Sequence, residues 1–230
     1  MKLDDKIQIK NDEIADDHIY TGDFTPLRKD AFDKSDDEKI TIIQKHVKGI
    51  METLGLDLSD DSLMGTPKRV AKAYVKEIFG GLNPKLKPTS STFENKYNYE
   101  EMLVEKDITL YSTCEHHFLP IVGKAHVAYI SNGNVIGLSK INRVVEYYSK
   151  RPQVQERLTK QIVKELQSVL NTNDVACVID ARHLCVNSRG IKDISSSTVT
   201  SEFGGKFKFD TSIKDEFLKY IQLDTSFNGL

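Results

Sequence analysis

From residue 123 onward the spacing of apolar residues changes twice, and those changes restrict the fold more than any other feature of the chain. Ala125, Val127 and Tyr129 alternate with His126, Ala128 and Ile130 across residues 123–131, as in a strand with two distinct faces. Asn132-Gly133 is a hairpin turn signal, and residues 134–138 form the return. The spacing then becomes three and four. Ile141, Val144, Val145 and Tyr148 line a helix following Ser139, and Val154, Leu158, Ile162, Leu166 and Val169 line a second. Arg151-Pro152 separates the two, and the second stops near Asn171. Residues 174–180 are rich in Val and return to a strand. Residues 195–209 read as its companion, bent or bulged at Gly204-Gly205, and a short helix is expected over 213–221. The order is β-hairpin, two helices, β-hairpin, an α+β arrangement without an internal repeat.

The N-terminal third is different. Residues 1–34 are polar, charged and aperiodic, and are read as a mobile or loosely docked arm. Ser35 and Glu38 fit a capping box, followed by an apolar stripe at Ile40, Ile43, Val47, Ile50 and Leu54. Thr66-Pro67 predicts a second helix with Thr66 as its cap, buried through Val70, Tyr74, Val75 and Ile78 and ended by Gly80-Gly81. The expected organisation is an arm over 1–34, a helical region over 35–95 and the α+β domain over 96–230.

Bulk properties exclude several classes. The 230 residues carry a net charge of −2, which argues against a broad nucleic-acid face. No apolar run approaches the ~18 residues of a membrane span, and the N-terminus has no apolar core of a secretory signal. Three widely spaced cysteines make no disulfide framework; a reducing cytoplasm is expected, with thiols available to metal.

Two of those cysteines have histidine neighbours. Cys114 and His117 are three apart, so a helical turn would place both on one face, with His116 pointing away. His183 and Cys185 are two apart and would project to one side of an extended segment. Cys114, His117 and Cys185 make three zinc ligands with a fourth position open, as in catalytic sites. His116 and His183 would stand beside them as proton carriers for hydrolysis. On spacing alone, buried thiols without metal are an equal reading. Cys177, inside an apolar strand, is read as core, and His18, His46 and His126 as structural.

Cationic groups point to an anion. Ser139, Lys140 and Arg143 lie at an expected helix N-terminus, where unpaired N–H groups and the dipole favour negative charge. Arg189 follows Cys185 by four residues, and Arg69 follows Thr66-Pro67. Together they suit a polyphosphate, though each alone fits a solvated surface charge. Gln155-Glu156 opens the second helix; a carboxylate there can accept from the N1–H and 2-amino group of guanine, or simply complement the dipole. Arg157 is expected to pair across the surface.

These segments, taken in order, spell a family. Thr66-Pro67-Lys68-Arg69-Val70-Ala71, Cys114-Glu115-His116-His117-Phe118-Leu119-Pro120, Val135-Ile136-Gly137-Leu138-Ser139-Lys140, Arg151-Pro152-Gln153-Val154-Gln155-Glu156-Arg157 and His183-Leu184-Cys185-Val186-Asn187-Ser188-Arg189-Gly190 resemble GTP cyclohydrolase I, over residues 37–221. The resemblance implies a tunnelling fold, a ββααββ unit whose hairpins join those of neighbours into an antiparallel β-barrel, with a decamer and sites at subunit boundaries. It implies zinc on Cys114, His117 and Cys185, and hydrolytic opening of the GTP imidazole ring to 7,8-dihydroneopterin triphosphate and formate. It matches His116 and His183 to acid–base groups and Gln155 and Glu156 to guanine recognition. Ser139 matches a ribose contact, and Lys140, Arg143, Arg189 and Arg69 the groups that hold the triphosphate.

Overall fold

The computed structural model describes residues 22–89 and 91–223. These fold as a mixed α+β unit around a five-stranded sheet, with helices on both of its faces.

Helix α1 (Asp36–Thr53) begins at the expected box: Ser35 Oγ accepts from the Glu38 N–H, and the Glu38 carboxylate accepts from the Ser35 N–H at 2.7 Å. One short turn, α2 (Asp61–Met64), leads into α3 (Thr66–Ala73). Gly65 rather than Thr66 caps α3. The Thr66 hydroxyl is engaged elsewhere, accepting from Arg69 Nη2 at 2.8 Å. The helix then loosens through a π turn at Tyr74–Ile78 and a 3-10 turn at Gly80–Leu82. Gly81 joins this region to the rest: its N–H donates to the Lys150 carbonyl at 2.9 Å, and its own carbonyl accepts from Arg151 Nε at 2.8 Å. Of the expected arm, residues 1–21, His18 among them, lie outside the described residues, and Gly22 and Asp23 are held by the helix that opens at Gln155.

The remaining elements run β1 (Thr92–Glu94), β2 (Met102–Cys114), β3 (Pro120–Ile130), β4 (Asn134–Ile136), α4 (Leu138–Ser149), β5 (Pro152–Gln153), α5 (Gln155–Leu170), β6 (Val175–His183), α6 (Leu184–Asn187), β7 (Thr198–Phe203), α7 (Lys206–Phe209) and α8 (Thr211–Gln222). The large sheet has the order β5-β2-β3-β6-β7, antiparallel throughout except for the short β2–β5 pairing. Two hairpin-linked strands, two helices and two further strands appear in the expected order.

The first hairpin differs from expectation. Asn132-Gly133 does turn the chain, but β4 pairs with β1 in a separate two-stranded sheet, and the partner of β3 is β2. The pattern of β2 is obscured by Glu105-Lys106-Asp107, where the register shifts and Asp107 takes φ 58°. A bulge of this kind inserts a residue into one strand and breaks its alternation. The last strand is also shorter than 195–209. It ends at Gly204-Gly205: a Cβ on Gly204 would lie 2.3 Å from Gln167 Nε2, and Gly205 has φ 49°. The following turn buries Phe207, and α8 starts with the Asp210 carboxylate accepting from the Ser212 N–H at 2.9 Å.

The sheet separates its side chains by parity. Ala125, Val127 and Tyr129 of β3, with Val175, Cys177 and Ile179 of β6, face α4 and α5. Ala128, Ile130, Ala176 and Val178 face α8, against Phe207 and Phe217. Strands covered on both faces become apolar in succession. Each fully buried Leu or Ile stabilises by about 1.5–3 kcal/mol, and Leu110, Ile121, Ile141, Leu158, Ile162, Leu166 and Ile179 are all in that class. Cys177 is fully buried, and burial alone holds its thiol far above the usual range, in keeping with a core role.

The same register builds one end of the sheet from distant sequence. Thr113 pairs with Pro120, Ile121 with His183, and Cys114 with Gln153, so the end of β2, the start of β3, the end of β6 and the entry to α5 converge.

Candidate metal centre

Cys114 is the last residue of β2, and the chain turns back within five residues. Its N–H donates to the Leu119 carbonyl at 2.8 Å, and its carbonyl accepts from the Phe118 N–H at 2.9 Å. Phe118 turns the loop with φ 52°. His117 is presented from this loop. From the other side, β6 ends at His183, and Cys185 is the second residue of the single turn α6, not part of an extended segment. The Sγ atoms of Cys114 and Cys185 and a ring nitrogen of His117 lie within 4.8 Å of one another.

This donor set fits zinc. Tetrahedral ligands at about 2.3 Å for sulfur and 2.0–2.1 Å for nitrogen have edges of roughly 3.3–3.8 Å, so small side-chain movements bring these atoms to bonding distance. Two thiols and an imidazole leave a fourth position, the count of a catalytic site. Burial and the adjoining Cys114 thiol push Cys185 up to about 11, with the nearby Arg189 guanidinium opposing them. A cation between the sulfurs favours their deprotonation.

His116 stays close instead of pointing away. Its Nδ1 is 3.7 Å from Cys114 Sγ, because the loop follows a strand end and is not a turn of helix. His183 is half-buried, and desolvation lowers its pKa against the opposing charge of Glu156. Its Nε2 is 2.8 Å from Gln155 Oε1. The tautomer follows from the network. Gln155 Nε2 donates to the Ile179 carbonyl at 3.1 Å, the Thr198 carbonyl at 2.8 Å and Thr200 Oγ1 at 3.1 Å. That fixes Oε1 as the atom facing His183, so the neutral imidazole carries its proton on Nε2 and leaves Nδ1 as the acceptor.

Gln155 is 2% exposed, and its amide is occupied by its own chain. Of the pair matched to guanine, only Glu156 is exposed. The first turn of α5 also contains a residue that sequence reasoning placed wrongly. Arg157 is buried, and Nη1 and Nη2 clasp the two oxygens of Glu115 at 2.6 and 3.1 Å. The signal available in sequence was a cation in the first turn of a helix, where the dipole disfavours it.

The cationic candidates do not form one group. Arg189 is exposed two residues past α6, near Cys185. Ser139 is exposed in the first turn of α4. Lys140 Nζ donates to the Thr89 carbonyl at 2.9 Å. Arg143 lines two cavities, of about 260 and 510 Å³, that also include Glu146 and Lys150 and none of the three metal-ligand candidates. Arg69 folds over its own turn, donating to the Ser62 carbonyl at 3.1 Å and to Thr66. Within one chain, therefore, Cys114, His116, His117, Gln155, Glu156, His183, Cys185 and Arg189 assemble, and Ser139, Lys140, Arg143 and Arg69 lie elsewhere. Among the described residues no helix is long and apolar enough to cross a membrane.

The family model for GTP cyclohydrolase I matches residues 43–222. A protein named GTP cyclohydrolase 1 from Flavobacterium johnsoniae is 71% identical over 216 residues, covering 94% of this chain and 96% of that one. Proteins of the same name from Yersinia enterocolitica and an Enterobacter species are 53% and 52% identical over 198 residues, covering 86% of this chain and 89% of each relative. The Cys114–His117 loop, the α5 entry and the α6 turn all fall inside the matched region, and the chain belongs to the GTP cyclohydrolase I family of enzymes.

Proposed function

We propose that this protein opens the imidazole ring of GTP by hydrolysis, releasing formate and giving 7,8-dihydroneopterin triphosphate, with one zinc ion per subunit held by Cys114, His117 and Cys185. The observation that carries this reading is the convergence of those three donor atoms within 4.8 Å, beside two histidines, at one end of the sheet. Bound zinc supplies a Lewis acid that makes water nucleophilic near neutral pH.

The chain's own residues divide the remaining work. C8 of a purine is a weak electrophile until N7 gains a proton, and His116 is the proposed donor to N7. His183, held through Nε2–H, presents Nδ1 for the later proton transfers of ribose opening and ring closure. Glu156 accepts from the N1–H and 2-amino group of guanine. Gln155 serves this pair through the anchoring of His183, its amide being engaged with β6 and β7. The triphosphate does not react; its binding positions the base.

Of the cations matched to that triphosphate, Arg189 lies near Cys185 in the same chain, and Lys140, Arg143 and Arg69, together with the ribose contact Ser139, are read as contributions from neighbouring subunits. Two features support this. They do not join the metal cluster within one chain, and among the described residues β7 is an edge strand that a neighbour can pair. The family's tunnelling fold, a decameric barrel, accommodates both. The product suits folate or another pterin.

The test is purified protein with GTP, following formate and the fluorescent pterin together, with metal analysis of the same sample. Formate and pterin in equal amounts, with one zinc per chain, support the reading. Zinc-loaded protein that turns over no GTP overturns it.

A further inference from the structure

Two residues in the first turn of α5 reach both halves of the metal centre. Gln155 holds His183, two residues before Cys185. Arg157 holds Glu115, the residue after Cys114. The arginine is placed against the local rules of helix building, since a cation in the first turn opposes the dipole, and its side chain is only 3% exposed. A break in local rules without a local gain points to a gain elsewhere, and here it lies in the contacts. Besides the paired bonds to Glu115, Arg157 Nε donates to the Gly22 carbonyl at 2.9 Å. The adjoining Asp23 carboxylate meets Lys164 at 2.9 Å and Lys160 at 3.4 Å, and its carbonyl accepts from Gln161 at 3.0 Å. Glu115 is held at its other end as well, its N–H donating to the Gln153 carbonyl at 3.0 Å. The residue between a ligand cysteine and His116 thus has both its main chain and its side chain fixed.

We propose that Arg157 is a positioning residue: by clasping Glu115 it holds the Cys114–His117 loop in ligand geometry, while Gln155 on the same turn holds the Cys185 side. Outer groups that orient metal ligands typically affect metal affinity or activity by ten- to a hundredfold. The fork matters because a lysine offers one point of charge where the guanidinium offers two parallel donors. This inference rests on the zinc reading above.

The test compares the wild type with Arg157→Lys and with the double variant Glu115→Leu/Arg157→Met, which removes both charges at similar volume. Zinc affinity is read by competition with a chelator, ligand geometry by the absorption of the cobalt-substituted protein, and fold by the melting temperature. Arg157→Lys is expected to bind zinc about ten- to a hundredfold more weakly, to shift the cobalt–thiolate bands, and to lose kcat with little change in KM. The double variant is expected to regain the melting temperature but not the affinity or the bands, and it serves alone if Arg157→Lys does not fold. Variants with wild-type affinity and bands overturn the positioning role and leave the zinc reading intact. A wild type that binds no zinc overturns both.

Discussion

Replacing Gln155 by glutamate tests whether that side chain is an anchor within the chain or a contact to the purine. The change is nearly isosteric but exchanges an amide that donates to two carbonyls and a hydroxyl, at 3.1, 2.8 and 3.1 Å, for an oxygen that cannot donate when ionised. Two or three bonds at about 1 kcal/mol each are lost, and the carbonyls then face a buried negative charge, so the cost is about 3 kcal/mol or more. For a chain of this size that corresponds to a fall in melting temperature of roughly 6–12 °C. Thermal and urea unfolding at one protein concentration measure it, since assembly shifts the apparent stability. The loss should shrink as pH is lowered and the carboxyl regains a proton. A variant of wild-type stability whose only defect is a higher KM for GTP would refute the anchor and return Gln155 to guanine recognition.

Other consequences follow from the same geometry. Cys185→Ser should retain the fold, because Cys185 lies on a short peripheral turn, yet lose zinc, measured as metal per chain after dialysis. Glu156→Gln should raise KM for GTP by roughly tenfold or more while leaving the melting temperature nearly unchanged, since the side chain is exposed and a donor would now face a donor; equal handling of GTP and ATP by the wild type would contradict the role. His126 is held neutral by burial, its Nδ1 accepting from the Asp107 N–H at 3.2 Å, with Lys106 and Lys124 opposing a proton and Asp107 and Asp180 favouring one. Its folded pKa is lowered, so stability present above the unfolded value of about 6.5 is lost as pH falls towards the folded pKa. His126→Gln should flatten that part of the stability–pH curve; an unchanged curve removes the assignment. Gly123→Ala should weaken the β3–β6 ladder, because its Cβ would lie 2.1 Å from the Asp180 carbonyl oxygen, and a melting temperature within 1–2 °C (about 0.5 kcal/mol) of wild type would contradict the packing.

What the sequence disclosed follows from which interactions are local. The helices α4, α5 and α8 were legible because each buries one stripe at helical spacing, and β3 and β6 because Val, Ile and Ala fill both of their faces. Strand β2 was hidden because the bulge at Glu105–Ile108 places charged residues where alternation would be read. The pairing of β4 with β1 was hidden because a turn signal reports the turn and not the register beyond it. At the site, Cys114, His117 and Cys185 carried a chemical identity that spacing and family resemblance could use. Arg157 did not: its role depends on Glu115, 42 positions away, and on Gly22, 135 positions away. The occupation of the Gln155 amide was equally invisible, since its acceptors are two main-chain carbonyls and the Thr200 hydroxyl on two later strands.

Zinc K-edge X-ray absorption of the purified enzyme examines the metal centre most directly. Two sulfur neighbours at about 2.3 Å with nitrogen or oxygen neighbours at about 2.0–2.1 Å are expected, and Cys185→Ser should remove one sulfur or the metal altogether. A spectrum without sulfur, or one with four, contradicts the assignment of Cys114, His117 and Cys185.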